Sequence, residues 1–184
     1  SKLSEKYPDR IIKSIDSKAA SIGEGLLVYL ANEKKKAGYS LDEVYQWILR
    51  NRDNICHYFT VDDLEHLYKG GRISRFSASV GTTLNIKPVL HVDDEGSLVP
   101  LCKVHGRKRS LKQLVSNMED LSISPNEQVI FIGHAGCIDD AEYVKELIYD
   151  SFNPKEVVIN HIGPIIGSHS GPKTVALFFY GSNK

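Results

Sequence analysis

The sequence predicts an α/β protein: the end of an N-terminal parallel α/β layer in residues 1–54, then a complete α+β domain with a mixed sheet in residues 55–184. Three observations predict it. Up to residue 54 the chain offers one short β-like run, 11–15, and otherwise only helical periodicity, so a strand there has no partner nearby. After residue 55 the runs 86–92 and 98–104 flank Asp93-Asp94-Glu95-Gly96, a hairpin signal. Later, the strand-like run 128–133, the amphipathic stretch 139–151 and the run 155–161 form a β-α-β unit, which is parallel and right-handed. A hairpin and a parallel crossover in one domain make its sheet mixed.

The elements follow in order. Ser21 and Glu24 have the spacing of a capping box, and Ile22, Leu26, Leu27 and Leu30 share one stripe of the helix they open. That helix runs through Lys34-Lys35-Lys36 and stops at Gly38, with cations at the negative end of its dipole. Ser40 and Glu43 repeat the box before Val44, Trp47 and Ile48. A strand is expected over 56–61, then a short helix capped by Asp62 with Glu65 at its third position and Gly70-Gly71 at its end. Ser74 is placed to open another helix carrying Phe76, Val80 and Leu84. Pro88 and Pro100 point to edge or bulged positions in the hairpin strands. Leu111, Leu114, Val115, Met118 and Leu121 mark a strong helix, Asp139 or Asp140 caps the next, and 174–180 is the last strand. The helices of residues 55–184 are expected on one face of the sheet.

Composition excludes several classes of function. Lys+Arg and Asp+Glu both count 23, so the chain is neutral and lacks the basic footprint of a nucleic-acid binder. No apolar run approaches the ~20 residues of a spanning helix, which argues against stable membrane insertion. Cys56, Cys102 and Cys137 are scattered and never form a C-x-x-C pair, a pattern of free thiols suited to a reducing cytoplasm. The sequence contains neither G-x-x-x-x-G-K-[ST] nor G-x-S-x-G.

Four stretches carry candidate chemistry. In Gly70-Gly71-Arg72-Ile73-Ser74 the glycines allow close backbone approach and Arg72 stands beside the start of a helix, which suits an anion; a plain helix stop with a surface Arg is the alternative. Arg107, Lys108 and Arg109 place three cations in a first helical turn, against the dipole, as an anionic ligand or partner surface would want; a solvated basic face is the alternative. Asp93-Asp94-Glu95 reads as a solvated hairpin tip. His134 and Cys137 could be imagined as a nucleophile pair, but no orienting acid is evident. His57, His66 and His91 fall inside regular elements and read as structural or solvent-facing.

The fourth stretch is Gly163-Pro164-Ile165-Ile166-Gly167-Ser168-His169-Ser170-Gly171-Pro172, apolar, almost chargeless and too shaped for a simple connection. Gly163 as N-cap with Pro164 at the first position predicts one helical turn over 164–168. His169 with Ile165 and Ile166 makes a greasy wall with one hydrogen-bonding group, which fits an amphiphile with a carboxylate head. Ten or so buried methylenes supply roughly 8 kcal/mol, whereas one charged hydrogen bond contributes ~1.5–3 kcal/mol. The tail would dominate affinity while the head is oriented. The alternative is a His that satisfies a carbonyl in a buried turn.

Five ordered segments carry a resemblance across the whole chain: Ile15-Asp16-Ser17-Lys18-Ala19-Ala20-Ser21-Ile22-Gly23-Glu24-Gly25, Phe59-Thr60-Val61-Asp62-Asp63-Leu64, Lys69-Gly70-Gly71-Arg72-Ile73, Asn85-Ile86-Lys87-Pro88-Val89-Leu90, and the 162–172 stretch. Together they resemble the DegV family of bacterial fatty-acid-binding proteins. The resemblance implies a two-domain, non-enzymatic carrier that encloses a long-chain fatty acid between its domains and presents the carboxylate to a fatty acid kinase. It implies no cofactor beyond the bound acid. It places His169 and Arg72 near the carboxylate, with Ile165, Ile166, Gly167, Ser168 and Ser170 around them, and it sets Arg107, with Lys108 and Arg109, toward the kinase or the acyl phosphate. The family's earlier Ser/Thr motifs have no counterpart here, so the first domain is expected to be incomplete, its remainder cleaved, absent or on a separate chain. Lys173 departs from the Gly the family commonly has there. Two rival readings are an enzyme acting on a small anion through His169 and Arg72, and a regulatory module that binds a partner through Arg107, Lys108 and Arg109.

Overall fold

The computed structural model describes residues 2–74 and 85–182. The helix expected after Ser74, with Phe76, Val80 and Leu84, lies outside the described residues. Short helix α1 (Lys2–Lys6) precedes α2 (Ile22–Lys36) and α3 (Leu41–Asn51). Then come β1 (Ile55–Thr60), α4 (Glu65–Lys69), β2 (Ile86–Val92), β3 (Leu98–His105), α5 (Arg107–Leu121), β4 (Val129–His134), α6 (Ile138–Phe152), β5 (Glu156–His161), α7 (Pro164–Ser170) and β6 (Val175–Tyr180). The strands form one sheet in the order β3-β2-β1-β6-β4-β5. It is mixed as expected: β4 and β5 are parallel, and every other neighbouring pair is antiparallel.

Side chains alternate across β1 and β6 with period two, and each face has its own core. Cys56, Tyr58, Val175, Leu177 and Phe179 face α5 and α6, whose Leu111, Leu114, Met118, Val144 and Ile148 are fully buried against them. Ile55, Phe59, Ala176 and Phe178 face the other way, where Leu26 and Leu27 of α2 and Leu67 of α4 cover them. Helices therefore lie on both faces, not on one. The helical stripes of α4 and α5 were readable, but which face each stripe meets depends on strand parity, and residues 62–64 turn the chain to the face opposite α5.

Several local expectations are corrected. Residues 11–15 form no strand, and Ile11 is exposed; with no strand laid beside it, its ladder groups gain nothing from extension. Ser40 makes its capping box, donating its N–H to Glu43 at 2.8 Å and accepting from the Glu43 N–H at 3.3 Å. Ser21 does not, because its backbone sits at φ 58°, ψ −144° and its hydroxyl makes no cap bond. Asp62 is not a cap either. Its carboxylate accepts from Lys87 Nζ at 2.6 Å, while Asp63 receives the Glu65 N–H at 2.8 Å. Nor do Asp139 and Asp140 cap α6, which follows Cys137; Asp140 instead accepts from Arg107 Nε at 2.9 Å. Proline placement follows expectation. Pro100 lies on the edge strand β3, and the β2–β3 register shifts at Val89/Leu90, next to Pro88.

Candidate functional site

Helix α2 sits low on the sheet because Gly23 lets it. A β-carbon there would lie 2.6 Å from His57 Nε2 and 2.6 Å from Phe178 Cδ1. Beside this contact, on the face away from α5 and α6, a cavity of about 470 Å³ opens over the sheet. His57, Phe59, Ala176 and Phe178 form its floor; Ala20 and Ser21 close one side, and Ile162, Ile165 and Ile166 another. Ile165 is 78% exposed at this wall.

Polar groups gather where α4 meets α7. Arg72, His169, Ser170 and Thr174 all line the cavity. The two helices touch through rings set on glycines: a β-carbon on Gly70 would stand 2.4 Å from His169 Nδ1, and one on Gly171 would stand 2.7 Å from the His66 ring. Arg72 Nη1 donates to the Gly70 carbonyl at 2.6 Å. Thr174 Oγ1 reaches the carbonyls of Ser170 and Gly171 at 3.0 and 2.8 Å, closing the turn after α7. The Ser170 hydroxyl is buried with no hydrogen-bond partner among the described residues, and so is that of Ser21. A buried hydroxyl without a partner carries a desolvation cost of ~1–3 kcal/mol, which a ligand oxygen at Ser170 would relieve. Tyr58 adjoins the cavity through β1, but its ring lies on the α5/α6 face, stacked on Phe179, where burial pushes the phenol up to about 12.

Of the residues singled out from the sequence, the structure thus brings His169, Arg72, Ile165, Ile166 and Ser170 to one cavity. Gly167 and Ser168 lie on α7 off the cavity wall, and Ser168 Oγ donates to the Ile165 carbonyl at 2.8 Å. Arg107 is elsewhere: besides Asp140 it donates from Nη2 to the Lys173 carbonyl at 2.5 Å, bracing the turn before β6. Lys108 lies over the Tyr143 ring at 5.8 Å, and Arg109 is exposed. From the sequence His57 reads as structural or solvent-facing, whereas it forms cavity floor. Ser21, Leu67 and Phe178 were missed as lining residues too. Only the period-two alternation of β1 and β6 hinted that His57 and Phe178 share a face.

His134 and Cys137 make no nucleophile pair. The Cys137 backbone N–H donates to His134 Nδ1 at 3.2 Å, and the thiol points to the Thr174 carbonyl at 3.4 Å. Burial pushes the Cys137 thiol up and the His134 imidazole down, with the neighbouring His161 adding to the latter. A protonated thiol beside an imidazole whose accepting nitrogen is already used is chemically quiet. Among the described residues no cluster of three or more His, Cys, Asp or Glu could hold a metal ion, and no helix is long and apolar enough to cross a membrane.

These features define a class of protein, one whose mixed sheet carries an apolar cavity on one face with hydrogen-bonding groups gathered at one end. A family profile described as uncharacterised protein, DegV family, matches residues 1–182, and the chain belongs to that family. A DegV domain-containing protein of Clostridium perfringens is 50% identical over 182 residues, which make up 99% of this chain and 62% of the relative. The chain thus spans about three fifths of that relative's length. Among solved structures, a fatty acid binding DegV family protein of Streptococcus agalactiae is 32% identical, with a TM-score of 0.80 over 98% of this chain and 64% of that one. A Streptococcus pneumoniae protein described as Fatty Acid Kinase (Fak) B3, loaded with linoleic acid, is 22% identical with a TM-score of 0.85 over 96% of this chain and 62% of that one; at that identity the likeness is one of fold.

Proposed function

We propose that this chain is the larger part of a non-enzymatic carrier that binds a long-chain fatty acid in the cavity and presents its carboxylate to a fatty acid kinase. The observation that carries this reading is the cavity itself. Its floor and side walls are largely apolar, and Arg72, His169 and Ser170 stand together at one end. An acyl chain fills such a space at ~0.8 kcal/mol per methylene, and the polar end orients the head. The S. agalactiae protein's description as fatty acid binding and the linoleic acid named for the S. pneumoniae protein support the same ligand class. In this reading residues 1–54 end a first unit lying over the sheet of residues 55–184, and further hydroxyls for the carboxylate come from chain not included in this sequence. Gly167 and Ser168 shape α7 rather than touch the acid. Lys108 and Arg109 form the kinase-facing surface, with Arg107 beneath them held by Asp140 and the Lys173 carbonyl, and the protein works in the cytoplasm without a cofactor.

Mass spectrometry of the denatured, freshly purified protein, prepared together with whatever chain completes it, tests the reading. Stoichiometric release of a long-chain fatty acid is expected. Protein that is folded yet free of fatty acid under several growth conditions, and that takes up none when it is supplied, overturns it. Turnover of a small anionic substrate that is lost on His169→Ala would favour an enzyme instead.

A further inference from the structure

The cavity ends at a wall one side chain thick. Ala20, Val92, Gly96 and Leu98 line the apolar cavity and also an adjoining space of about 410 Å³. That second space has the opposite character, for its other lining residues include Asp16, Lys18, Asp94 and Glu95. Val92 and Leu98 face each other directly across the β2–β3 hairpin, so their side chains stand together on the cavity face.

Strand register puts this wall at the far end of the site. Thr60, at the end of β1, pairs with Val175, next to Thr174 and the Ser170 turn. Tyr58 pairs with His91, which sets Val92 beside His57 toward the start of the same strand. The polar groups of α4 and α7 therefore lie at one end of β1 and the hairpin tip at the other.

We infer that Val92 and Leu98 are the chain-length stop of the bound acyl chain. The inference rests on the fatty-acid reading above and adds to it the residues that choose among fatty acids. Each methylene that finds room in the apolar cavity raises affinity about fourfold. A methylene pushed past the wall must instead strip water from the carboxylates of Asp16, Asp94 and Glu95, which costs more than it returns. Affinity therefore climbs with chain length until the terminal methyl meets Val92 and Leu98, and then stops climbing.

The experiment is a competition titration of the protein, prepared together with whatever chain completes it, with saturated fatty acids, lengthened two carbons at a time, for the native sequence, Leu98→Ala, Val92→Ala and Leu98→Phe. Thermal melts confirm that each variant is folded. The preferred length should move up by about two carbons in the alanine variants, the room that truncation opens, and down in Leu98→Phe. Identical length profiles in all folded variants, with fatty acid still bound tightly, overturn the stop while leaving the carrier reading intact. Failure of the native protein to bind any length overturns both.

Discussion

Gly70→Ala tests the His169 contact without disturbing the fold around it. Gly70 has φ −74° and ψ −5°, a helical conformation that alanine adopts freely. Fewer accessible states in the unfolded chain would favour the variant by ~0.4–1 kcal/mol, and a tight contact of 3.1 Å to the His66 carbonyl takes back part of that. Stability should therefore change by under ~1 kcal/mol, or about 4 °C in Tm at this chain length. The imidazole fares differently. With the new methyl 2.4 Å from Nδ1, the ring must swing about an ångström or more away from the cavity's polar end. If His169 orients the carboxylate, the loss of one charged hydrogen bond costs ~1.5–3 kcal/mol, or roughly 10- to 150-fold in Kd. Fatty-acid titration of Gly70→Ala and His169→Ala, alongside melting curves, reads both quantities. Near-native Tm with comparable weakening in the two variants is expected. Native affinity in both, with the fold intact, would refute the role given to the imidazole.

Three further outcomes are expected. Lys87 Nζ holds the Asp62 carboxyl below its usual range by hydrogen bonding, so the pair stabilises the fold above the unfolded carboxylate pKa of ~3.9 and loses that effect as pH falls through the folded value. Because Asp62 is partly exposed, Asp62→Asn should cost under ~1 kcal/mol at pH 7, and urea midpoints should show the gap closing toward pH 3; a pH-independent gap would speak against the pairing. Lys173 sits at φ 60°, held by its N–H to the Ala135 carbonyl at 2.8 Å, so Lys173→Gly should gain ~0.5 kcal/mol as relief of the left-handed penalty outweighs glycine's entropy; clear destabilisation in urea would show that the side chain matters. Gly23→Ala should lower Tm, because overpacking His57 and Phe178 costs ~1–3 kcal/mol, more than the ~1 kcal/mol of helix propensity gained; an unchanged or raised Tm would mean that α2 can lift freely.

Legibility followed the range of the interactions involved. The hairpin, the parallel β4–β5 unit and the stripes of α5 and α6 are written locally, in turn residues and periodicity, and came through within a residue or so. Gly163 and Pro164 likewise announced α7, and the observed helix extends two residues past the expected turn. What failed was decided by distant partners. Asp62 and Asp140 have the chemistry of caps, but Lys87 and Arg107, brought near by the fold, offer their carboxylates a full charge. Ser21 has the spacing of a capping box, but its backbone sits at φ 58°, ψ −144°, away from the extended geometry a cap adopts. The α7 half of the site was legible because His169, Ile165 and Ile166 are neighbours in sequence. The floor was not, since His57 and Phe178 meet only through a strand pairing that spans 121 positions.

The sheet order has a consequence for biogenesis. The β1–β3 meander and the parallel β4–β5 unit do not touch in the sheet; β6 joins them, pairing with β1 on one side and β4 on the other. It also follows all five other strands in the sequence. During translation both halves leave the ribosome with an inner edge unpaired and a hydrophobic face uncovered, until Val175–Tyr180 has emerged. A nascent chain stalled before that point would be a natural client for chaperones.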